Sequence, residues 1–120
     1  MADYRLADAE AKFAALIWEN APMNSTELVR LSQDVMKWKK STTYTVLKRL
    51  CSKGLFKVED AVVSALISRE AYLSEQSRRY VEDTFGGSLP YFFAAFIGGK
   101  KLSGKQAEEL IRLIAEHKEG

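Results

Sequence analysis

The sequence predicts a mainly α-helical fold with a small β-hairpin, in the order three helices, hairpin, three helices. Apolar residues recur at helical spacing on both sides of a central stretch. Capping residues, glycines and prolines mark where the helices begin and end. After Gly54 the pattern changes to two short runs of β-forming residues, which is typical of a hairpin.

The first two helices are predicted from apolar stripes and from residues that cap or stop a helix. The first covers residues 8–19 and ends at Asn20-Ala21-Pro22. The second covers residues 25–34, behind a capping box that Asn24 and Glu27 form. The side chains expected to face the core from these helices recur at helical spacing: Phe13, Leu16, Ile17, Leu28, Leu31 and Val35.

A third helix is predicted over residues 41–53, after a short basic connection, with Ser41 or Lys40 as its N-cap. Gly54 lies just past its end, where a left-handed C-cap favours a residue without a Cβ. The two β-rich runs of the hairpin follow, and they cover residues 55–58 and 62–67.

Three further helices are predicted beyond the hairpin. The fourth begins at Arg69, after Ser68, and stops at the Gly86-Gly87 pair. The fifth runs from Ser88 to the Gly98-Gly99 pair, and the sixth begins at a capping box on Ser103. The fifth carries the run YFFAAFI and is apolar on all sides, so we expect it to be buried. This apolar surface favours a dimer core, and a ligand pocket is the alternative.

Composition and residue counts exclude several classes of protein. Of the 120 residues, 47% are hydrophobic and 28% are charged, which is typical of a folded globular chain. A single cysteine and a single histidine predict neither an intrachain disulfide nor a zinc site, and we expect no cofactor. The chain shows no catalytic triad, paired catalytic carboxylates or phosphate loop, so no enzyme is predicted.

The beginning of the sequence and its longest apolar stretch argue against export and membrane insertion. Acidic residues stand near the N-terminus, where a signal peptide needs an apolar run. The longest apolar stretch, residues 89–97, is too short to span a bilayer. We therefore expect a cytoplasmic protein with no membrane partner.

The basic charge is concentrated in one segment. The net charge of +2 is modest, but residues 35–58 contain no Asp or Glu. The basic residues of this segment are Lys37, Lys39, Lys40, Lys48, Arg49, Lys53 and Lys57. Because the run coincides with the predicted third helix, it favours a nucleic acid as partner.

The third helix is predicted to have a core face and a DNA-facing side. Successive helical residues advance about 100° around the axis, which places Thr43, Val46, Leu47 and Leu50 together on the core face. The rest of the helix carries hydroxyls, an aromatic ring and cations, which can bond base edges and phosphate oxygens. The predicted DNA-binding residues are Lys39, Lys40, Ser41, Thr42, Tyr44, Thr45, Lys48 and Arg49. The alternative is an ordinary solvated helix face.

The first three helices and the hairpin have the order of a winged helix-turn-helix, whose second motif helix enters the major groove of DNA. We therefore predict a winged-helix DNA-binding domain over residues 1–68 and a three-helix C-terminal dimerisation region over residues 69–120. The expected partners are a double-stranded DNA operator and a second copy of the chain. The competing hypothesis is a winged-helix module that binds a protein and no DNA, because the hairpin carries few basic residues.

The stretch from Trp38 to Leu55 resembles the recognition segment of the penicillinase and methicillin-resistance repressor family. The residues that match the family's pattern are Trp38, Thr42, Thr45, Leu47, Arg49, Leu50, Lys53 and Gly54. Ala9-Glu10 and Ile17-Trp18 resemble the family's first helix, and residues 102–113 resemble its last. The resemblance implies a dimeric winged-helix repressor whose N-terminal domains bind an inverted repeat upstream of resistance genes and whose C-terminal helices form the dimer.

The chain departs from that family at several places. The hairpin carries Ala61-Val62-Val63 where relatives have glycine and polar or basic residues, and Tyr44 stands where relatives often have a basic or amide side chain. A DNA contact from the wing and the family's operator sequence are therefore not carried over. In the β-lactam-sensing branch a sensor metalloprotease inactivates the repressor at an Asn-Phe bond, and the matching candidate here is Ala95-Phe96. The cysteine-rich tail of the copper-sensing branch has no counterpart at this C-terminus.

Overall fold

A computed structural model describes residues 4–120 of the chain. Over this range the elements are α1 (Asp8–Asn20), β1 (Met23–Asn24), α2 (Ser25–Val35), α3 (Lys40–Ser52), β2 (Phe56–Glu59), β3 (Val62–Ala65), α4 (Arg69–Phe85), α5 (Leu89–Ile97) and α6 (Gly104–Glu116). This order confirms the predicted mainly α-helical winged helix with a hairpin wing. Among the helices of residues 4–120, none is both long and apolar enough to cross a membrane.

The wing is a tight hairpin that belongs to a three-stranded antiparallel sheet in the order β1-β3-β2. Asp60 and Ala61 form its two-residue turn and have φ angles of 50° and 62°. Positive φ at both positions is what a type I′ hairpin turn requires. Strand β1 was not predicted, and it pairs Met23 with Val63 and Asn24 with Val62. The Ala61 carbonyl also accepts a hydrogen bond of 2.8 Å from the Ser25 N–H.

The core of the first part of the chain is formed by α1, α2, α3 and the sheet. Its large side chains with no more than 1% exposure are Phe13, Ile17, Leu28, Leu50, Leu55, Phe56 and Val63. The Phe13 ring lies 5.1 Å from that of Trp38, and the Trp18 ring lies 5.0 Å from that of Phe56. These contacts fix α1 against the α2–α3 connection on one side and against the sheet on the other.

The predicted core face of α2 needs one correction. Leu28 is fully buried, but Val35 is 45% exposed, so its prediction as a core residue was wrong. Val35 is the last helical residue of α2, and Ser32, one turn earlier, is fully buried instead. Ser32 is accommodated in the core because its hydroxyl accepts a hydrogen bond from Thr43 on α3.

The described residues divide into two compact units, one that ends at Arg79 and one that covers residues 80–120. The boundary predicted after residue 68 separates two functions, DNA binding and dimerisation, rather than two compact units. The division into a DNA-binding and a dimerisation domain therefore stays a prediction. The first three residues of that predicted domain lie outside the described range.

The second unit has no enclosed core within the single chain. Neither α5 nor α6 contains a buried residue, so the expectation that the apolar α5 is buried is wrong for the single chain. The Phe85 ring packs against Tyr91 at 5.0 Å and against Phe92 at 5.5 Å, while Phe96 remains 71% exposed. A unit of two short helices and the end of a third has too few elements to cover both sides of α5.

Candidate nucleic-acid interface

Helix α3 is held against α2 by a short connection and one buried hydrogen bond. The α2 C-cap, Met36, donates its N–H to the Ser32 carbonyl at 2.8 Å, and Lys37 then takes a positive φ of 60°. Thr43 Oγ1 on α3 donates to Ser32 Oγ on α2 at 2.8 Å. Both residues are fully buried, so this bond links the two helices of the helix-turn-helix inside the core.

The N-cap of α3 differs from the sequence prediction. Lys39 takes the extended N-cap conformation, whereas Lys40 is already helical, so the prediction of Ser41 or Lys40 was wrong. Lys39 makes no side-chain cap hydrogen bond. The first N–H groups of α3 thus lie beside the exposed side chains of Lys39 and Lys40, a combination that attracts anions.

The two predicted faces of α3 are present. Thr43 and Leu50 are fully buried, and Val46 and Leu47 are 7% and 3% exposed, which confirms the core face. The residues predicted to bind DNA are all exposed: Lys39, Lys40, Ser41, Thr42, Tyr44, Thr45, Lys48 and Arg49. The helix and its N-cap, Lys39, therefore present hydroxyls, a phenol ring and four cations to their surroundings.

Thr45 already uses its hydroxyl hydrogen within the helix. Its Oγ1 donates to the Ser41 carbonyl at 2.9 Å. The methyl group and the lone pairs of the hydroxyl remain for an external partner. Thr45 can therefore contact a thymine methyl, or accept from a base amino group, without breaking this bond.

Arg49 is tied to a mostly buried acid that was not predicted as a site residue. Arg49 Nη1 donates to Glu10 Oε2 on α1 at 3.2 Å, and Lys53 Nζ lies 3.7 Å from Glu10 Oε1. The Glu10 side chain is 11% exposed, whereas that of Arg49 is 54% exposed. A signal was available, because Glu10 precedes the buried Phe13, Ala14 and Ile17 by three, four and seven positions and so lies on the core stripe of α1.

Glu10 is held in its ionised form. A hydrogen bond of 2.9 Å from the Ala7 N–H lowers the pKa of the Glu10 carboxyl, and Arg49 and Lys53 lower it further, against an opposing effect of burial. The carboxylate also lies in the first turn of α1, where the helix dipole favours a negative charge. Arg49 therefore has a permanent anionic partner at neutral pH.

A shallow concavity of about 420 Å³ lies between α3 and the wing, lined by Tyr44, Leu47, Lys48, Cys51 and Val58. Burial raises the pKa of the Cys51 thiol. The wing itself is apolar at Val58 and Val62, which are 43% and 40% exposed. Its one basic residue, Lys57, pairs with Glu59 at 3.4 Å. The surface cations available to a polyanion thus come from α3 rather than from the wing strands.

Comparison with known proteins relates the chain to penicillinase repressors. Residues 6–116 match the sequence profile of the penicillinase repressor family. The chain is also 25% identical over 118 residues to the penicillinase repressor of Bacillus licheniformis, in an alignment that covers 95% of this chain and 92% of that protein. Both matches span the helix-turn-helix, the wing and the helices of the second unit.

Proposed function

The chain belongs to the penicillinase repressor family of transcriptional repressors, and we propose that it acts as a homodimer on an inverted-repeat operator in duplex DNA. One observation carries the proposal. The second helix of a winged helix-turn-helix buries its apolar side and presents a polar, cationic side in a segment without acids. Such a helix has the shape and the charge to enter the major groove.

The residues of α3 divide into two roles in this proposal. Lys39, Lys40, Lys48 and Arg49 neutralise phosphates, and the uncapped N-terminus of α3 adds backbone N–H donors beside the first two lysines. Base edges are read by the hydroxyl and aromatic side chains of the same surface: Ser41, Thr42, Tyr44 and Thr45. The apolar wing contributes little charge, so binding depends on α3.

The second unit supports the homodimer. Exposed fractions of 61% for Leu89, 71% for Phe96, 66% for Ile111 and 65% for Ile114 leave a large apolar surface on α5 and α6. Soluble chains rarely leave large apolar side chains uncovered over so much of a small unit, and a second copy is the simplest cover. A chain that sediments as a monomer at micromolar concentration would contradict this part of the proposal.

The regulated genes and the inducing partner are proposed from the chain's resemblance to the penicillinase and methicillin-resistance repressors. We propose β-lactam resistance or related genes as targets, and a sensor metalloprotease that acts at Ala95-Phe96. This pair lies near the end of α5, in helical conformation, with Phe96 exposed and Gly98 ending the helix at a φ of 55°. Cleavage requires the last turn to unwind. Incubation with the protease and mass measurement of the fragments tests the assignment, and a chain that stays intact refutes it.

The experiment that tests DNA binding is selection of bound fragments from random-sequence duplexes with the full chain. We expect an inverted repeat with half-sites about one helical turn, or about 10 base pairs, apart. Affinity should fall steeply with salt, since neutralising on the order of 6 to 10 phosphates gives a log–log slope of about 0.9 per phosphate. Lys48→Ala should reduce that slope by about 1, whereas Lys105→Ala on α6 should not change it.

Two substitutions test base reading. Tyr44→Ala and Thr45→Ala should each change the free-energy difference between the preferred base and the other bases at one operator position by about 1 to 3 kcal/mol. The slope of affinity against salt should stay the same. Failure to select any duplex, or a flat salt response, would refute the proposal. A tight complex with a protein and no retention of DNA would instead support the protein-binding alternative, which the exposed Val58 and Val62 of the wing favour.

A further inference from the structure

We propose that Glu10 is a positioning residue for DNA binding, which orients the Arg49 guanidinium toward the phosphate backbone before DNA arrives. The inference rests on the proposed function, because it needs Arg49 to contact a phosphate. It assigns a DNA-binding role to a side chain on α1, outside the helix-turn-helix itself.

The geometry around Glu10 leaves its carboxylate little freedom. Oε1 accepts from the Ala7 N–H at 2.9 Å and lies 3.7 Å from Lys53 Nζ. Oε2 accepts from Arg49 Nη1 at 3.2 Å. Both oxygens are committed, and the side chain is only 11% exposed. A carboxylate fixed by its own helix terminus is a rigid anchor for whatever it holds.

Arg49 is held at one edge and open at the other. Its side chain is 54% exposed, and the bond to Glu10 uses one of the five N–H donors of the guanidinium. A planar guanidinium that is fixed by one donor still presents the remaining donors in a defined plane. Phosphate recognition by arginine depends on that planar geometry. Ordering the side chain in the free protein removes an entropy cost from the binding step.

Electrostatics alone would make Glu10 unfavourable for DNA binding. A carboxylate near a polyanion repels it, so removal of an acid from this end of α1 should strengthen binding. Lys53 offsets this charge, and its Nζ also donates to the Arg5 carbonyl at 2.5 Å, so the site retains a net positive charge. The positioning role therefore predicts the opposite sign from simple charge repulsion, and the sign can be measured.

The test compares Glu10→Gln with Asp8→Asn in the full chain on the selected operator duplex. Asp8 is an exposed acid in the same first turn of α1, so its substitution removes the same charge without touching Arg49. We expect Glu10→Gln to weaken binding by about twofold to tenfold and Asp8→Asn to leave it unchanged or strengthen it. In an Arg49→Ala background, Glu10→Gln should change the affinity by less than about twofold.

A merely structural role would not show this coupling. If Glu10→Gln weakens binding equally with Arg49 and with Ala at that position, positioning is refuted. If it strengthens binding more than Asp8→Asn, Glu10 competes with phosphate and the inference is again wrong. Should Glu10→Gln fail to fold, Glu10→Asp keeps the charge, shortens the reach to Arg49, and is expected to weaken binding in the same Arg49-dependent way. A wild-type chain that binds no duplex refutes the proposed function itself, which is a separate result.

Discussion

The hydrogen bond between Thr43 and Ser32 makes a quantitative prediction about the helix-turn-helix. Thr43 Oγ1 donates to Ser32 Oγ at 2.8 Å, and both side chains are 0% exposed. Thr43→Val keeps the shape of the side chain and removes the donor, so it leaves no cavity. The buried Ser32 hydroxyl then loses a partner that water cannot replace.

The magnitude follows from the cost of an unpaired buried polar group. A hydroxyl left without its partner in a core costs about 1 to 3 kcal/mol, whereas replacing both partners by apolar groups can be nearly neutral. Thr43→Val should lower the free energy of unfolding by an amount in that range. Ser32→Ala should lower it by less, because the Thr43 hydroxyl can still donate to the Lys39 carbonyl at 3.2 Å. The free energy of unfolding of the double variant should be at most about 0.5 kcal/mol below that of the less stable single variant.

Urea unfolding followed by circular dichroism measures these differences, at one fixed chain concentration because self-association shifts apparent stability. Thr45→Val is the matched control, since Thr45 is exposed and its hydroxyl bonds only the Ser41 carbonyl. It should change the unfolding free energy by less than about 0.5 kcal/mol. If the two core substitutions add without coupling, the buried hydrogen bond does not link α2 to α3 energetically.

Two further predictions concern the wing and Glu10. Ala61→Gly should raise the free energy of unfolding by up to about 1 kcal/mol, because Ala61 has a φ of 62° that glycine adopts without strain. Ala65→Gly in strand β3 should lower it, and urea midpoints that shift in the same direction for both would contradict the assignment of strain to the turn. The Glu10 carboxyl has a pKa below its ordinary value of 4.5 in the folded chain, so its ionised form stabilises the fold. This contribution to the free energy of unfolding is fully present above pH 4.5 and is lost as the pH falls through the lowered pKa. Urea midpoints should therefore fall less between pH 7 and pH 3 for Glu10→Gln than for the wild-type chain. An equal fall in the two chains would disprove this prediction.

Much of α3 could be predicted from the sequence, because its two faces depend on residues that are close together in the chain. Helical spacing alone separates Thr43, Val46, Leu47 and Leu50 from the polar positions between them. The prediction of the α3 N-cap was wrong for a local reason too. The sequence rule expects a side-chain cap, but the backbone at Lys39 turns into the helix without one.

Features made by long-range contacts could not be predicted. Strand β1 is two residues long and exists only because Met23 and Asn24 pair with β3, which follows nearly forty residues later. No propensity argument finds a strand of that length. The burial of Ser32 is similar, since a serine reaches the core only where a distant donor satisfies it, here Thr43.

Glu10 lies between these cases. Its spacing from Phe13 and Ile17 places it on the buried face of α1, and that much is local. Charged residues are usually expected to face solvent, so the burial of Glu10 was not predicted. An acid on a core stripe requires a cationic partner, and the acid-free basic segment offered several. The partner, Arg49, is 39 positions away, so only the folded chain identifies it.

The apolar run of α5 shows what a pattern can and cannot predict. A helix without a polar face must be covered, but the pattern does not say whether its own chain or another covers it. In residues 80–120 the chain offers α6 and one end of α4, and every residue of α5 still keeps access to solvent. The first unit, in contrast, fully buries Phe13, Leu28 and Leu50 with its own elements. The surface proposed to read DNA is therefore complete in one chain, whereas the surface proposed for the dimer needs a second, so substitutions can separate the two functions.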